Sequence, residues 1–240
     1  MDLKGKVAII TGASKGIGKS IANYLAEEDM QLSLVSRSKD ILEQFKSDLP
    51  IDNKNILVVP IDLNDVESPK IIVKKTIEKF GQIDALINNA GIAISRSIEN
   101  TTLEEWDKLI NINARAPFFL SKESIKYLKK SDLKYIINIA SIVATRGYIN
   151  QAAYTASKHA LIGFSKVLAQ EVQRDNIRVN VISPGGVDTE LVTDMRPDIN
   201  RGELISPDEI AELVIFLLKQ NGNAMIDHIN VRRMTKQPWA

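Results

Sequence analysis

Short apolar runs alternate with amphipathic stretches along almost the whole chain. Val7–Ile10, Gln31–Ser36, Ile56–Val59, Ala85–Ile87, Ile136–Ile139, Arg178–Ile182 and Asp227–Val231 are brief and mostly rich in β-branched or aliphatic residues, as strands buried on both faces are. Between them, apolar residues recur at helical spacing from Ile17 to about Glu28, over Asp40–Leu49, Ser68–Phe80, Thr101–Lys130 and Gln151–Arg174, and again after Ser206. Local punctuation agrees with these limits. Gly81 stops the third helix, Thr101 or Thr102 with Glu104 or Glu105 makes a capping box, and Ser206-Pro207-Asp208-Glu209 joins an N-cap, a first-position proline and a box-closing glutamate. Strands and helices that alternate in this way predict a single α/β domain over residues 1–240. Its core would be one doubly wound parallel sheet of seven strands with helices on both faces.

Two stretches break the regularity. Val187–Ile205 is mixed and poorly periodic, and is long enough to serve as a substrate loop or lid. Thr101–Lys130 contains Pro117, which has no N–H for the carbonyl four residues back, that of Asn113. A kink is expected there. The freed Asn113 carbonyl either anchors a water in a proton path or is simply tolerated.

Composition narrows the function classes. With 240 residues and 44% hydrophobic content the chain has material for a full core. Its 31 basic and 30 acidic side chains leave a net charge of +1, so no basic face for nucleic acid is implied. The absence of cysteine excludes disulfides, thiolate metal sites and a cysteine nucleophile, and two histidines do not furnish a zinc site, so no metal is expected. No apolar stretch approaches the ~20 residues of a membrane span. Met1–Val7 carries Asp2, Lys4 and Lys6 rather than a signal peptide's apolar segment. A cytoplasmic protein without membrane partners is expected.

The candidate chemistry begins where the first strand runs into Thr11-Gly12-Ala13-Ser14-Lys15-Gly16-Ile17-Gly18 and a helix starts. Glycines between strand and helix permit a tight turn, let the backbone approach a pyrophosphate and let the helix pack on the strand, while the helix start offers free N–H groups. A dinucleotide site is predicted. A carboxylate at the end of the second strand would accept from an adenosine ribose, but Ser36 and Arg37 stand there, with Lys15 as a second cation. Cations pair with a 2′-phosphate, which favours NADP(H) over NAD(H), although both residues also suit ordinary surface positions. Asp62, after the third strand, either accepts from an adenine amino group or caps its own turn. Asn88-Asn89-Ala90-Gly91 either leaves room for a ribose or shores up the neighbouring strand. Tyr154 and Lys158 are four residues apart on one helix face, so an ammonium stands beside a phenol. A neighbouring cation favours the phenolate, and such a pair can do general acid–base chemistry.

Taken together these residues resemble the short-chain dehydrogenase/reductase family over nearly the whole chain. The glycine loop from Thr11 to Gly18 is similar to the family's cofactor loop, Asn88-Asn89-Ala90-Gly91 to its fourth-strand motif, and Tyr154 with Lys158 to its catalytic pair. Asn113 and Ser141 fall at the family's spacings, and Pro184-Gly185 with Thr189 resembles its nicotinamide-side loop. The resemblance implies a Rossmann-type fold and hydride transfer between NADP(H) and a ketone or secondary alcohol. Tyr154 would exchange the proton with the substrate oxygen, Lys158 would lower the Tyr154 pKa and bind the nicotinamide ribose, Ser141 would hold the substrate oxygen, and Asn113 would hold a relay water. Gly12, Ser14, Lys15, Gly16, Ile17, Gly18, Arg37, Asp62, Leu63, Asn89, Ala90, Gly91, Pro184, Gly185, Val187 and Thr189 would contact the cofactor with Tyr154 and Lys158.

Departures bear on the substrate. The tail Ile229–Ala240 lacks the glycine-rich strand of many members and resembles the branch acting on 3-hydroxy acids and related small alcohols. The helix around Tyr154 resembles 3-oxoacyl-carrier-protein reductases, yet Asp132 and Asp175 stand where those enzymes usually carry arginines for the acidic carrier, with Lys130, Lys134 and Arg174 adjacent. Carrier-protein reduction is therefore the alternative, and a non-catalytic NADPH sensor a second one. A homodimer or homotetramer formed through the Thr102 and Gln151 helices is implied. His159 and His228 read as packing or surface residues.

Overall fold

Seven parallel strands stand in the order β3-β2-β1-β4-β5-β6-β7 in the computed structural model, which describes residues 1–196 and 198–238. They are β1 (Val7–Thr11), β2 (Gln31–Ser36), β3 (Ile56–Pro60), β4 (Ala85–Asn88), β5 (Tyr135–Ile139), β6 (Arg178–Pro184) and β7 (His228–Val231). Pro197 of the expected substrate loop and Trp239–Ala240 of the tail lie outside the described residues. β1 and β5 are buried at every position, because helices cover both faces of a parallel sheet.

Alternate residues of each strand feed two separate cores. Ala8 and Ile10 of β1 pack with Leu32 and Leu34 of β2 and Ile137 of β5. Over them lie α1 (Gly16–Glu27), α2 (Lys39–Asp48) and α8 (Pro207–Leu218). Ile9, Val35, Leu86 and Ile136 point the other way, beneath α3 (Ser68–Phe80), α5 (Ala116–Leu128) and α6 (Ala152–Val172). Full burial of each such aliphatic side chain is worth about 1.5–3 kcal/mol. Capping fixes where helices begin and end. Gly81 closes α3 at φ 77°, and capping boxes join Thr102 to Glu105 and Ser206 to Glu209.

The Thr101–Lys130 stretch is not one kinked helix. It divides into α4 (Leu103–Ile110), a π turn over Asn111–Arg115, and α5. In the turn the Ala116 N–H donates to the Asn111 carbonyl, five residues back. A proline ring at 117 crowds the carbonyl four residues earlier, and widening the helix just ahead of it relieves that contact. Val187–Ile205 holds a short α7 (Glu190–Met195) and a 3₁₀ turn over Arg201–Glu203. Its ends meet. The Asp188 N–H donates to the Ile205 carbonyl and the Ile205 N–H to the Gly186 carbonyl, at 2.8 and 3.0 Å.

Candidate active site

The chain reverses the direction in which it adds strands between β1 and β4, and open parallel sheets bind ligands at such a point, beyond the strand C-termini. A cavity of about 1110 Å³ opens there. Gly12, Lys15, Gly16, Ile17, Asn89, Ala90 and Gly91 line it on the β1–β4 side, and Ser141, Tyr154, Lys158, Pro184, Gly185, Val187 and Thr189 beyond. Ser14, Gly18, Arg37, Asp62 and Leu63 lie outside this lining.

Both backbone conformation and space require the glycines: Gly12 and Gly16 lie at positive φ, and Gly18 has no room for a side chain. A Cβ on Gly12, itself at φ 69°, would lie 2.9 Å from the Ala90 Cα and from the Asn89 Nδ2. One on Gly18 would lie 2.3 Å from the Gly12 carbonyl oxygen, and one on Gly16 2.9 Å from the Thr189 Cγ2. Asn89 holds the turn by donating from Nδ2 to the Thr11 carbonyl at 2.9 Å. The Thr11 hydroxyl in turn accepts from the Asn89 and Ala90 N–H groups at 3.0 Å each. Lys15 N-caps α1 with no side-chain capping bond, so the first-turn N–H groups can face an anion. The cradle fits a bound pyrophosphate.

α6 brings Tyr154 and Lys158 to the other wall, 7% and 4% exposed. Burial pushes the Tyr154 phenol up to about 12, with the Ser141 hydroxyl pulling it the other way, and pushes Lys158 down to about 8. Desolvation of the charged form dominates both. Lowering of the phenol by Lys158 is therefore not what the protein alone displays. The ammonium is turned instead to the Ile139 carbonyl, to which Nζ donates at 2.9 Å. Ser141 follows β5 in extended conformation and its Oγ accepts from the Val143 N–H at 3.4 Å.

Asn113 sits wholly buried in the π turn, where its side chain bonds the Ile92 backbone and Ser157. Its Oδ1 accepts from the Ile92 N–H, while Nδ2 donates to the Ile92 carbonyl and to the Ser157 Oγ, all at 2.9 Å. The Ser157 hydroxyl donates onward to the Tyr154 carbonyl at 2.7 Å. A Cβ on Gly91 would lie 3.4 Å from both the Asn113 Oδ1 and the Lys158 Nζ, so these two groups converge at that glycine. Ser157 and Thr11 are joints that reading the sequence missed. The only signal for Ser157 was its place three residues after Tyr154.

The adenosine end is less complete. Arg37 is exposed and makes no ion pair among the described residues. Lys15 pairs with Glu190 of α7. The Asp62 Oδ1 accepts from the Asn64 N–H at 2.9 Å, the turn-capping role, and Leu63 is buried beside it. Val187 is buried under the loop, and the Thr189 hydroxyl donates to the Val187 carbonyl at 3.3 Å. His159 and His228 stand apart, the first exposed beside the Thr155 carbonyl, the second against the Ser183 hydroxyl. Among the described residues no cluster of His, Cys, Asp and Glu could hold a metal ion.

Comparison with known proteins agrees with this geometry. The short chain dehydrogenase family model matches residues 6–200. A 3-oxoacyl-(acyl-carrier-protein) reductase from Escherichia coli (strain K12) is 35% identical, over 90% of this chain and 91% of its own. An acetoacetyl-CoA reductase from Acinetobacter sp. (strain RA3849) is 33% identical, over 90% and 92%. The alcohol dehydrogenase of the archaeon Thermococcus sibiricus, solved with 5-hydroxy-NADP, superposes with a TM-score of 0.89 at 30% identity, covering 98% of this chain and 99% of that one. From the glycine cradle to the Tyr154–Lys158 wall, the chain belongs to the short-chain dehydrogenase/reductase family of oxidoreductases, which act on CH–OH and keto groups.

Proposed function

We propose that residues 1–240 form one NADP(H)-dependent oxidoreductase domain that interconverts a small-molecule ketone and its secondary alcohol. A nicotinamide nucleotide, when bound, supplies or accepts the hydride. The residues of this chain place the reactants and move the proton. Tyr154 gives its phenolic proton to the substrate oxygen in reduction and takes it back in oxidation. Ser141 holds that oxygen within reach. Lys158 supplies the positive charge that stabilises a developing tyrosinate and binds the nicotinamide ribose, on leaving the Ile139 carbonyl. Asn113 fixes the chain beneath them through its side chain and holds a relay water toward Lys158 through its carbonyl. The observation that carries this reading is the burial of a phenol and an ammonium in one wall opposite a glycine cradle.

Tyr154→Phe is expected to lower kcat by about 10²–10⁴-fold while leaving NADPH binding, read by fluorescence titration, nearly intact. Turnover that survives the substitution would remove Tyr154 from the proton step. Tight NADPH binding with no reduction of any ketone, diketone or thioester by the wild type would favour the sensor reading.

Arg37 supports NADP(H) over NAD(H), since its guanidinium has no partner among the described residues at the end of β2. A related 3-ketoacyl-(acyl-carrier-protein) reductase from Brucella melitensis was solved with NADH, at a TM-score of 0.86 and 30% identity over 96% of this chain and 98% of that one. Arg37→Asp is expected to cut the NADPH-to-NADH ratio of kcat/KM at least about tenfold. Similarity to carrier-protein reductases favours a second reading, 3-oxoacyl-carrier-protein reduction. Against it, no arginine stands at Asp132 or Asp175, which pair with Lys6 at 3.4 Å and Lys129 at 2.9 Å, although Lys130, Lys134 and Arg174 adjoin them. We place the protein in the cytoplasm as a homodimer or homotetramer, without nucleic acid or membrane partners. In support, no described helix is long and apolar enough to cross a membrane.

A further inference from the structure

We propose that residues 232–238 form a wall of the substrate cavity, and that Glu203 is the positioning residue that clasps this wall to the loop after β6 and so limits how bulky a ketone the site admits. The inference rests on the oxidoreductase reading and deepens it toward substrate size. Arg232, Arg233, Lys236, Gln237 and Pro238 line the cavity, yet the segment has no helix or strand of its own. Its Met234 is 92% exposed, so apolar burial does not anchor it. A stretch of this kind keeps one shape only where other bonds tie it down.

Three ties are present. The Gly185 N–H donates to the Val231 carbonyl at 2.7 Å, which sets where the segment leaves β7. The Arg232 guanidinium then turns the segment on itself. Its Nη1 donates to the carbonyls of Arg233, Met234 and Lys236 at 3.0, 3.2 and 2.8 Å, as a group with five N–H donors and no acceptor can. Glu203 makes the third tie from the 3₁₀ turn near the end of the loop. Its Oε2 accepts from the Thr235 hydroxyl at 3.2 Å and lies 3.9 Å from the Arg233 Nη1. A Cβ on Gly186 would stand 3.0 Å from the Leu204 Cδ2 and 3.7 Å from the Arg233 Cδ and Nε, so the loop end and the segment meet at that glycine. Arg201, two residues before Glu203, is bound to Asp188 at 2.7 Å. The clasp therefore joins the segment to a loop base that is itself braced.

Glu203 and Thr235 lie outside the cavity lining, so Glu203 acts on a substrate through the wall and not by touching it. The wall bounds the cavity at the end away from the glycine cradle. β7 is four strand positions from β1, where the glycine loop begins, and two from β5, which Ser141 follows. At ~4.8 Å per position these are separations of about 19 and 10 Å. One exposed hydrogen bond and one long ion pair make a modest tie. A single substitution therefore releases the wall and leaves the domain folded.

NADPH oxidation is to be measured with 2-butanone and 4-phenyl-2-butanone, which share the methyl ketone and differ in bulk. Glu203→Ala is expected to raise the kcat/KM of the bulky ketone relative to the small one at least about tenfold. The change should come through KM for the ketones, with kcat for the small ketone and the KM for NADPH nearly unchanged. Glu203→Gln, which keeps an acceptor for Thr235, should shift the ratio less. Arg232→Met, which removes the bonds to three carbonyls, should move it in the same direction and is the second variant should Glu203→Ala fail to fold. An unchanged ratio, or an effect confined to the KM for NADPH, would overturn the inference while leaving the oxidoreductase reading intact. Should the wild type reduce neither ketone, saturation-transfer NMR with the same two ketones on the NADP⁺-loaded protein decides the wall. Signals of 4-phenyl-2-butanone that grow relative to 2-butanone in Glu203→Ala support it, and equal or absent signals overturn it. Failure to reduce any ketone at all would sink the oxidoreductase reading separately.

Discussion

Lys158 illustrates how a single buried charge couples stability to function. Its amine ionises at about 8 instead of the ordinary 10.5 because burial disfavours the ammonium. Between these values the unfolded chain binds a proton that the native protein lacks, so native stability rises with pH across that window. The shift corresponds to about 3 kcal/mol. Relative to Lys158→Met, the wild type should therefore gain up to about 3 kcal/mol between pH 7 and 10.5 in urea unfolding. A gap that stays constant with pH would mean that the amine is solvated. Tyr154 acts in the opposite sense: its raised pKa holds a proton that the unfolded chain loses above pH 10, so it lowers stability as pH rises toward 12. For activity, kcat/KM for reduction should fall as pH passes about 8, when Lys158 loses its charge. The Tyr154–Lys158 spacing was legible because a helix fixes what lies four residues apart. The direction of the phenol's pKa was not, since spacing reveals a neighbour but says nothing of how deeply both are buried.

At the scale of elements, strands and helices were read within a few residues, because burial on both faces leaves continuous apolar runs and capping residues mark helix starts. What escaped was the π turn at Asn111–Arg115. Pro117 announces trouble in a helix, but whether the chain kinks or widens depends on what the side chains inside can bond. Here the Asn113 amide ties the π turn to the Ile92 backbone and, through Ser157, to the first turn of α6. Ser157→Ala leaves one Asn113 donor without its partner in a buried place. It should cost about 1–3 kcal/mol and lower kcat more than it raises the KM for NADPH. In the glycine loop, Gly18→Ala drives a Cβ into the Gly12 carbonyl oxygen. Displacement of the turn is expected, with at least about 1–3 kcal/mol lost in thermal unfolding and NADPH affinity reduced at least tenfold, about 1.4 kcal/mol.

For the whole molecule, the outer surface of α4, α5 and α6 presents Leu103, Trp106, Phe118, Phe119 and Val167 to solvent. Phe118 meets Phe164 edge-on at 5.5 Å, joining α5 to α6. Apolar surface of this kind is commonly covered by another chain. With a homodimer or homotetramer as the proposed state, Phe118→Asp should reduce the mass measured by light scattering to that of a monomer, 26.7 kDa, whereas a wild-type monomer would contradict the proposal. The resemblance, and not the periodicity, had pointed to the Thr102 and Gln151 helices for this contact, because periodicity marks an apolar face without saying what it meets.

The closure of the segment between Gly186 and Ile205 has a consequence for how this enzyme could be altered. The backbone leaves the sheet after β6 and returns to within a hydrogen bond of its departure point. The span between is an excursion with a fixed base, and the sheet does not depend on its contents. Doubling the length of such an excursion costs only about 0.6 kcal/mol in closure entropy. A graft of different size or chemistry at 191–204, beyond Thr189 and Glu190, can therefore redraw the cavity roof while Tyr154, Lys158 and the glycine turn stay where they are, making this the natural place to exchange one substrate for another.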